Sequence, residues 1–148
     1  MNSSLSAFTE PTSTEKLFNR VFGFLVGLGL IPNKYQLQVR GRKSGKLFST
    51  PVNLLELNGK QYLVAPRGQT QWVRNAEAAG EISLKSGRTR LQFHLRPLTD
   101  AEKPEVLKTY LDRYKSEVQR FFPVPAGSPP AALAPIAASY PAFELLSI

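Results

Sequence analysis

Polar and apolar residues alternate first at Tyr35, Leu37 and Val39, which are separated by Gln36, Gln38 and Arg40. That period of two predicts a half-buried strand. Residues 51–57 and 61–65 predict two more strands, and the Asn58-Gly59 pair between them is the strongest short signal for a two-residue hairpin. A second hairpin is predicted from residues 82–85 and 88–95 about Ser86-Gly87. Its second strand sets Leu91, Phe93 and Leu95 on one face and Arg90, Gln92, His94 and Arg96 on the other. Residues 141–146 predict a last strand.

The spacing changes to three and four in other stretches. Leu17, Phe18, Val21, Phe22, Leu25 and Leu28 predict a helix over about residues 14–30, opened by a Thr12-Ser13-Thr14-Glu15 capping box and ended by Gly27, Gly29 and Pro32. Residues 70–79 predict a short helix closed by Gly80. Thr99-Asp100-Ala101-Glu102 reads as another capping box, before a helix that buries Val106, Leu107, Tyr110, Leu111, Tyr114, Val118 and Phe122. Residues 121–135 are rich in Pro and Ala and predict irregular chain. Residues 1–12 read as a flexible tail and 13–148 as one domain. The sum is an α+β domain of about six antiparallel strands around a small barrel, with flanking helices.

Composition narrows the function. The 148 residues carry no cysteine and one histidine, His94, which excludes thiol catalysis and cysteine-ligated metals, and no metal site is expected. The 19 Lys and Arg against 11 Asp and Glu leave a net charge of +8, which points to an anionic partner. The surplus is local: twelve basic and three acidic residues lie between positions 34 and 96, and no acid lies between Glu15 and Glu56. The longest apolar run, residues 21–31, has 11 residues, whereas a membrane span needs about 20. With no secretory leader recognisable, a cytoplasmic protein is expected, its first helix either packed on the domain or resting on a membrane surface.

The most informative stretch is Gly41-Arg42-Lys43-Ser44-Gly45-Lys46. It lies between two strands and lacks the spacing of a phosphate loop. Its glycines let backbone N–H groups turn inward, and Arg42, Lys43 and Lys46 add charge around them, so it suits an anion as well as a solvated turn. Arg67 and Gly68, then Trp72, Arg74 and Asn75, follow a strand closely enough to line a planar ligand, although a lone Trp is as readily core. Lys85, Arg88 and Arg90 read as an exposed strand face, and His94 as a surface or rim residue.

In this order the segments YQLQVRGRKSGKLFSTP (35–51), Asn58-Gly59, YLVAPRG (62–68), Trp72-Val73-Arg74-Asn75 and YPAFEL (140–145) resemble the deazaflavin-dependent nitroreductases, a split β-barrel family related to the pyridoxamine-phosphate-oxidase-like flavoproteins. The likeness covers roughly residues 15–148. It implies an oxidoreductase that passes hydride from reduced coenzyme F-420 to a quinone, nitro compound or similar electron-poor acceptor. It assigns Arg42, Lys43, Ser44, Gly45 and Lys46 to the cofactor's phosphate and polyglutamate tail, and places Pro51 beside the cofactor. Ala65, Pro66, Arg67 and Gly68 fall under the deazaflavin ring, and Trp72, Arg74 and Asn75 at the helix start that closes the site. Tyr140, and more weakly Tyr110, are candidates for the acceptor side. The chain departs from the family's nitroreductases by Pro66-Arg67-Gly68-Gln69 in place of a Ser-Lys-Gly-Gly-like loop, and by a shorter loop before Trp72.

Three alternatives stay open at this point. FMN is a second option for the cofactor. The same fold also serves as a non-catalytic carrier of a flavin, tetrapyrrole or fatty acid. The basic barrel residues, interleaved with Tyr35, Phe48, Tyr62 and Trp72, have the composition of a single-stranded nucleic-acid surface, but no motif sets them on one face and no nucleic acid is expected. The assembly is expected to be a monomer or a homodimer.

Overall fold

The computed structural model describes residues 34–148. The predicted tail, the Thr12 capping box and the helix over 14–30 lie outside the described residues. The chain divides into two compact units, each built from separate stretches. One takes Leu55–Thr70 and Arg96–Glu144; the other takes residues 34–54, Gln71–Leu95 and Leu145–Ile148.

The second unit carries β1 (Lys34–Arg40), β2 (Leu47–Asn53), α1 (Gln71–Ala79), β5 (Glu81–Ser86) and most of β6 (Thr89–Pro97). Its strand order is β2-β1-β5-β6, antiparallel at every pairing. Leu37 stands opposite Thr50 on one side and Leu84 on the other, and Ile82 stands opposite Phe93. The period of two therefore gathers Leu37, Val39, Ile82, Leu84 and Phe93 on one buried face. Helix α1 packs on β1 and β5 and buries Val73 and Ala76. Burying each of the larger side chains contributes roughly 1.5–3 kcal/mol, so this face holds α1 in place. Pro51 sits on β2 at the end of the strand order, where its missing N–H costs no ladder bond. Gly80, at φ +76°, closes α1 by donating its N–H to the Ala76 carbonyl at 2.8 Å.

The first unit carries β3 (Leu55–Leu57), β4 (Lys60–Val64), α2 (Lys103–Arg113), α3 (Lys115–Val118), α4 (Pro130–Leu133) and the start of β7 (Ala142–Ser147), in strand order β7-β4-β3. Asn58 and Gly59 both take positive φ, 53° and 78°, as a type I′ hairpin requires, with Leu57 opposite Lys60. The helical spacing of Val106, Leu107, Tyr110, Leu111 and Tyr114 forms the core with Leu55, Tyr62, Leu133 and Tyr140.

Several expectations are corrected in detail. Seven strands, not six, occur among the described residues, because the stretch 51–57 breaks at Leu54 into β2 and β3. The β5–β6 turn is Gly87-Arg88 rather than Ser86-Gly87, with Gly87 at φ +61° and Ser86 paired to Thr89. Of the residues placed on one face of β6, Phe93 is buried while Leu91 is 47% exposed. The capping box at Thr99 forms only in part. Glu102 reaches back to the Thr99 N–H at 2.9 Å, but the Thr99 hydroxyl donates to the same carboxylate instead of capping the helix. The helix predicted to run through Phe122 breaks at Tyr114 (φ −114°, ψ 27°), restarts as α3 and ends in a 3-10 turn over Gln119–Phe121. The stretch 121–135 contains α4, and a further 3-10 turn spans Ala134–Ser139.

Candidate functional site

The basic turn lies between β1 and β2, as its residues demand. Gly41 donates its N–H to the Lys46 carbonyl at 2.8 Å, and Gly45 donates to the Gly41 carbonyl at 2.9 Å. Gly45 sits at φ +74°, a conformation that favours glycine. The Lys46 N–H donates to Ser44 Oγ and the Arg40 guanidinium to the Gly45 carbonyl, both at 3.2 Å. Gly41 is needed for space, since a Cβ there would meet the Phe48 ring at 2.6 Å. These bonds correct one part of the sequence reading. The N–H groups of Gly41, Gly45 and Lys46 are engaged inside the turn, so the two glycine amides are not turned toward an anion as the sequence suggested.

Arg42 fastens the turn to α1. Its backbone N–H donates to Asn75 Oδ1 at 3.1 Å, and its guanidinium donates to the same oxygen at 2.7 Å and to Gln71 Oε1 at 3.1 Å. Gln71 and Asn75 share one face of α1 because they are four residues apart. Asn75 is 5% exposed, so its amide oxygen is a fixed point to which the turn is tied. Lys43 and Lys46 are exposed, and neither ammonium bonds to another described residue. Trp72, half-buried, and Arg74, exposed, stand on the same helix, and Pro51 stands on β2 opposite Gln36. The second unit thus brings together Arg42, Gln71 and Asn75 and leaves two lysines facing solvent beside them. Gln71 was missed in the sequence; its spacing of four from Asn75 was the available signal.

The remaining candidates belong to the first unit. Residues 65–68 form a turn closed by the Gly68 N–H on the Ala65 carbonyl at 3.1 Å, with Gly68 at φ +83°. Pro66 occupies the position of that turn for which its fixed φ is suited. Ala65, 1% exposed, donates its N–H to the Pro141 carbonyl at 2.8 Å. The Arg67 guanidinium lies 4.7 Å from the centre of the Phe121 ring, and Arg120 lies 4.6 Å from the same ring. Tyr140 is 4% exposed, its ring stacked on Phe122 at 4.5 Å and its hydroxyl donating to the Phe121 carbonyl at 2.5 Å. Burial pushes the Tyr140 hydroxyl pKa up, so it remains a neutral donor committed to that carbonyl. This geometry gives Tyr140 a place in the core rather than at an acceptor. Tyr110, 2% exposed, is likewise a core residue.

A charged cluster in the first unit also went unread. Arg96, set by alternation on the face with Arg90, Gln92 and His94, holds Glu102 with both arms of its guanidinium at 3.0–3.1 Å and buried Glu144 at 2.9 Å. The Arg96 hydrogen bonds, and after them the Thr99 N–H, lower the Glu102 pKa from 4.5 to about 2.

The family model for F420H(2)-dependent quinone reductases matches residues 20–124. The chain belongs to that family. That family is described as quinone reductases that depend on F420H(2). Among solved structures it is similar to Atu2129 of Agrobacterium tumefaciens, a protein of unknown function, with TM-score 0.56 and 19% identity over 78% of this chain and 48% of that one. The chain thus spans about half the length of the Agrobacterium protein. It is similar to an F420-H2 dependent reductase, FDR-A, at TM-score 0.51 and 23% identity, covering 77% of this chain and 94% of that one. A nimC/nimA family protein from Clostridium acetobutylicum matches at TM-score 0.53 and 14% identity, covering 86% and 77%. These likenesses show the fold, the split barrel that the sequence resemblance implied. No curated protein matches the chain. Among the described residues no helix is long and apolar enough to cross a membrane.

Proposed function

We propose that the chain passes hydride from reduced coenzyme F-420 to a quinone, a nitro compound or a comparable electron-poor acceptor, and that the turn of residues 42–46 holds the anionic tail of the cofactor. The observation that carries this reading is the pair of solvent-facing ammonium groups, Lys43 and Lys46, on a turn that Arg42 fixes to α1. The residues fit the group: a tail bearing a phosphate and carboxylates needs cations, and no acid lies between Glu15 and Glu56 to compete. When bound, the reduced deazaflavin supplies the hydride. The protein's part is position and charge, which an acceptor of this kind requires more than a nucleophile. Lys43 and Lys46 bind the tail. Arg42, through Asn75 and Gln71, keeps them in register with α1. Residues 65–68 enter the proposal on the resemblance alone, as the segment beside the ring.

The test follows the loss of reduced F-420 absorbance with menadione or a nitroaromatic under anaerobic conditions, beside binding titrations with F-420 and FMN. F-420 should bind more tightly than FMN at low ionic strength, where screening is weakest. Lys43→Ala should cost about 1–3 kcal/mol of F-420 binding, roughly 5- to 150-fold in Kd, with stability nearly unchanged. Arg88→Ala, in the exposed β5–β6 turn, should have little effect. Wild-type affinity in Lys43→Ala with loss in Arg88→Ala would place the anion elsewhere, and an enzyme inert toward both acceptor classes would overturn the reaction.

A further inference from the structure

The hairpin of β5 and β6 carries charge that the proposed cofactor site does not use. Lys85, Arg88 and Arg90 lie in a stretch without acid from residue 82 to residue 99, and β1 and β2 of the same unit contain none either. Arg88 and Arg90 are exposed, and neither guanidinium bonds to another described residue. Lys85 stands directly opposite Arg90, so two cations share one face of the strand pair. Like charges placed in this way destabilise a sheet. Residues 88–92 are all exposed, on both faces of the strand. Leu91 stands among them, opposite buried Leu84. Because β1 and β5 run antiparallel, with Gln36 opposite Lys85, this hairpin tip lies at the other end of the unit's sheet from the turn of residues 41–46.

We propose that the tip of this hairpin docks on an anionic lipid bilayer. The guanidinium fork matches the oxygens of a phosphate headgroup, and Arg88 and Arg90 present two of them. An anionic surface also offsets the repulsion between Lys85 and Arg90. Leu91 supplies the other half of an interfacial contact, an apolar side chain that enters the acyl boundary while the arginines stay at headgroup level. Arg90 and Leu91 point to opposite faces of β6, so an approach tip-first engages both. A single-stranded nucleic acid would meet the charge but not the rest, since residues 85–92 offer no aromatic ring on which a base could stack. The use of the contact rests on the function proposed above. An apolar quinone partitions into the bilayer, so a chain seated there meets its acceptor, while the turn of residues 42–46 at the far end of the sheet is left to the cofactor.

The test is sedimentation of the full chain with vesicles, either phosphatidylcholine alone or phosphatidylcholine and phosphatidylglycerol in equal parts. The chain should sediment with the mixed vesicles at low ionic strength, not with the neutral ones, and added salt should release it. Arg88→Gln and Arg90→Gln should each weaken partition by about 5-fold, the factor for one cation at an anionic surface. Leu91→Ser should weaken it by about 3- to 10-fold and leave the salt dependence unchanged. All three variants should melt near wild type and bind F-420 as wild type does. The chain has no cysteine, so Leu91→Cys can carry a polarity-sensitive dye alone. Its emission should shift to the blue on the mixed vesicles, and that of a dye on Ser44→Cys, at the other end of the sheet, should not. Wild-type partition in the Arg88→Gln/Arg90→Gln double variant, or a response at position 44 without one at 91, would show that another part of the chain makes the contact and overturns the proposal. So does equal sedimentation with both vesicles, or retention by oligo-dT without vesicle binding. A chain that docks as described but neither binds F-420 nor reduces menadione refutes the functional reading and leaves the docking standing.

Discussion

Replacing Asn75 separates two contributions to the candidate site, because one oxygen atom accepts both the backbone N–H and the guanidinium of Arg42. In Asn75→Ala the Arg42 N–H and guanidinium both lose their acceptor, bonds of 3.1 and 2.7 Å. A neutral hydrogen bond contributes about 0.5–1.5 kcal/mol and one to a charged group about 1.5–3. Arg42 is exposed enough for water to solvate its guanidinium again, which holds the loss near the lower end. The expected destabilisation is about 1–3 kcal/mol, a fall of about 3–10 °C in melting temperature for a chain of this size. Because Lys43 and Lys46 lose their register with α1, F-420 affinity should also fall, by about 3- to 10-fold. Asn75→Asp should behave differently. It retains an oxygen acceptor for Arg42, so the melting temperature should stay near wild type. It also adds a negative charge beside the turn, so F-420 affinity should fall and the salt dependence of binding should flatten. Calorimetry and fluorescence titration at two salt concentrations read both quantities. Wild-type stability and affinity in Asn75→Ala would refute the pinning argument. Wild-type affinity in Asn75→Asp would show that charge at this turn does not hold the cofactor.

Two further outcomes are expected. Gly41→Ala forces the Phe48 ring, 2.6 Å from the new Cβ, to swing away; Phe48 is 49% exposed, so the cost should be about 1 kcal/mol, with weaker F-420 binding, and unchanged melting and binding would show that the ring yields freely. Glu102 ionises at about 2 in the folded chain against an ordinary 4.5, so its stabilisation is present above pH 4.5 and is lost as pH falls toward 2. Glu102→Gln should therefore flatten the acid limb of a melting-temperature profile across that window, and parallel profiles for the two proteins would count against the Arg96 clamp.

The parts of the fold that the sequence revealed were those governed by local rules. Asn58-Gly59 is a hairpin because two successive residues tolerate positive φ, and α2 buries the residues its spacing selects. The parts that stayed hidden depend on partners far along the chain. Arg96 alternates with the polar residues of its strand, but Glu144 lies 48 residues away and nothing local announces it. Leu91 has an apolar neighbour across the strand in Leu84, yet burial requires a covering element that alternation cannot supply. At the candidate site the basic turn was legible as charge and glycine. Its backbone bonds, which occupy the amides of Gly41, Gly45 and Lys46, and its attachment to Asn75 over 33 positions were not.

The interleaving of the two units bears on how the chain is made. Residues 55–70 must wait for 96–144 before their unit closes, and residues 34–54 must wait for 71–95. Neither unit can complete itself behind the other as the polypeptide leaves the ribosome, the usual course where domains are contiguous. One late link in the first unit, the Ala65 N–H to the Pro141 carbonyl, joins positions 76 residues apart. Pairings of that separation slow folding because a long loop must be closed before any contact rewards it. A ribosome stalled before residue 141 should therefore display a nascent chain with the Leu55, Tyr62 and Tyr110 core still exposed to chaperones, and no single cut would liberate either unit as an independent fragment.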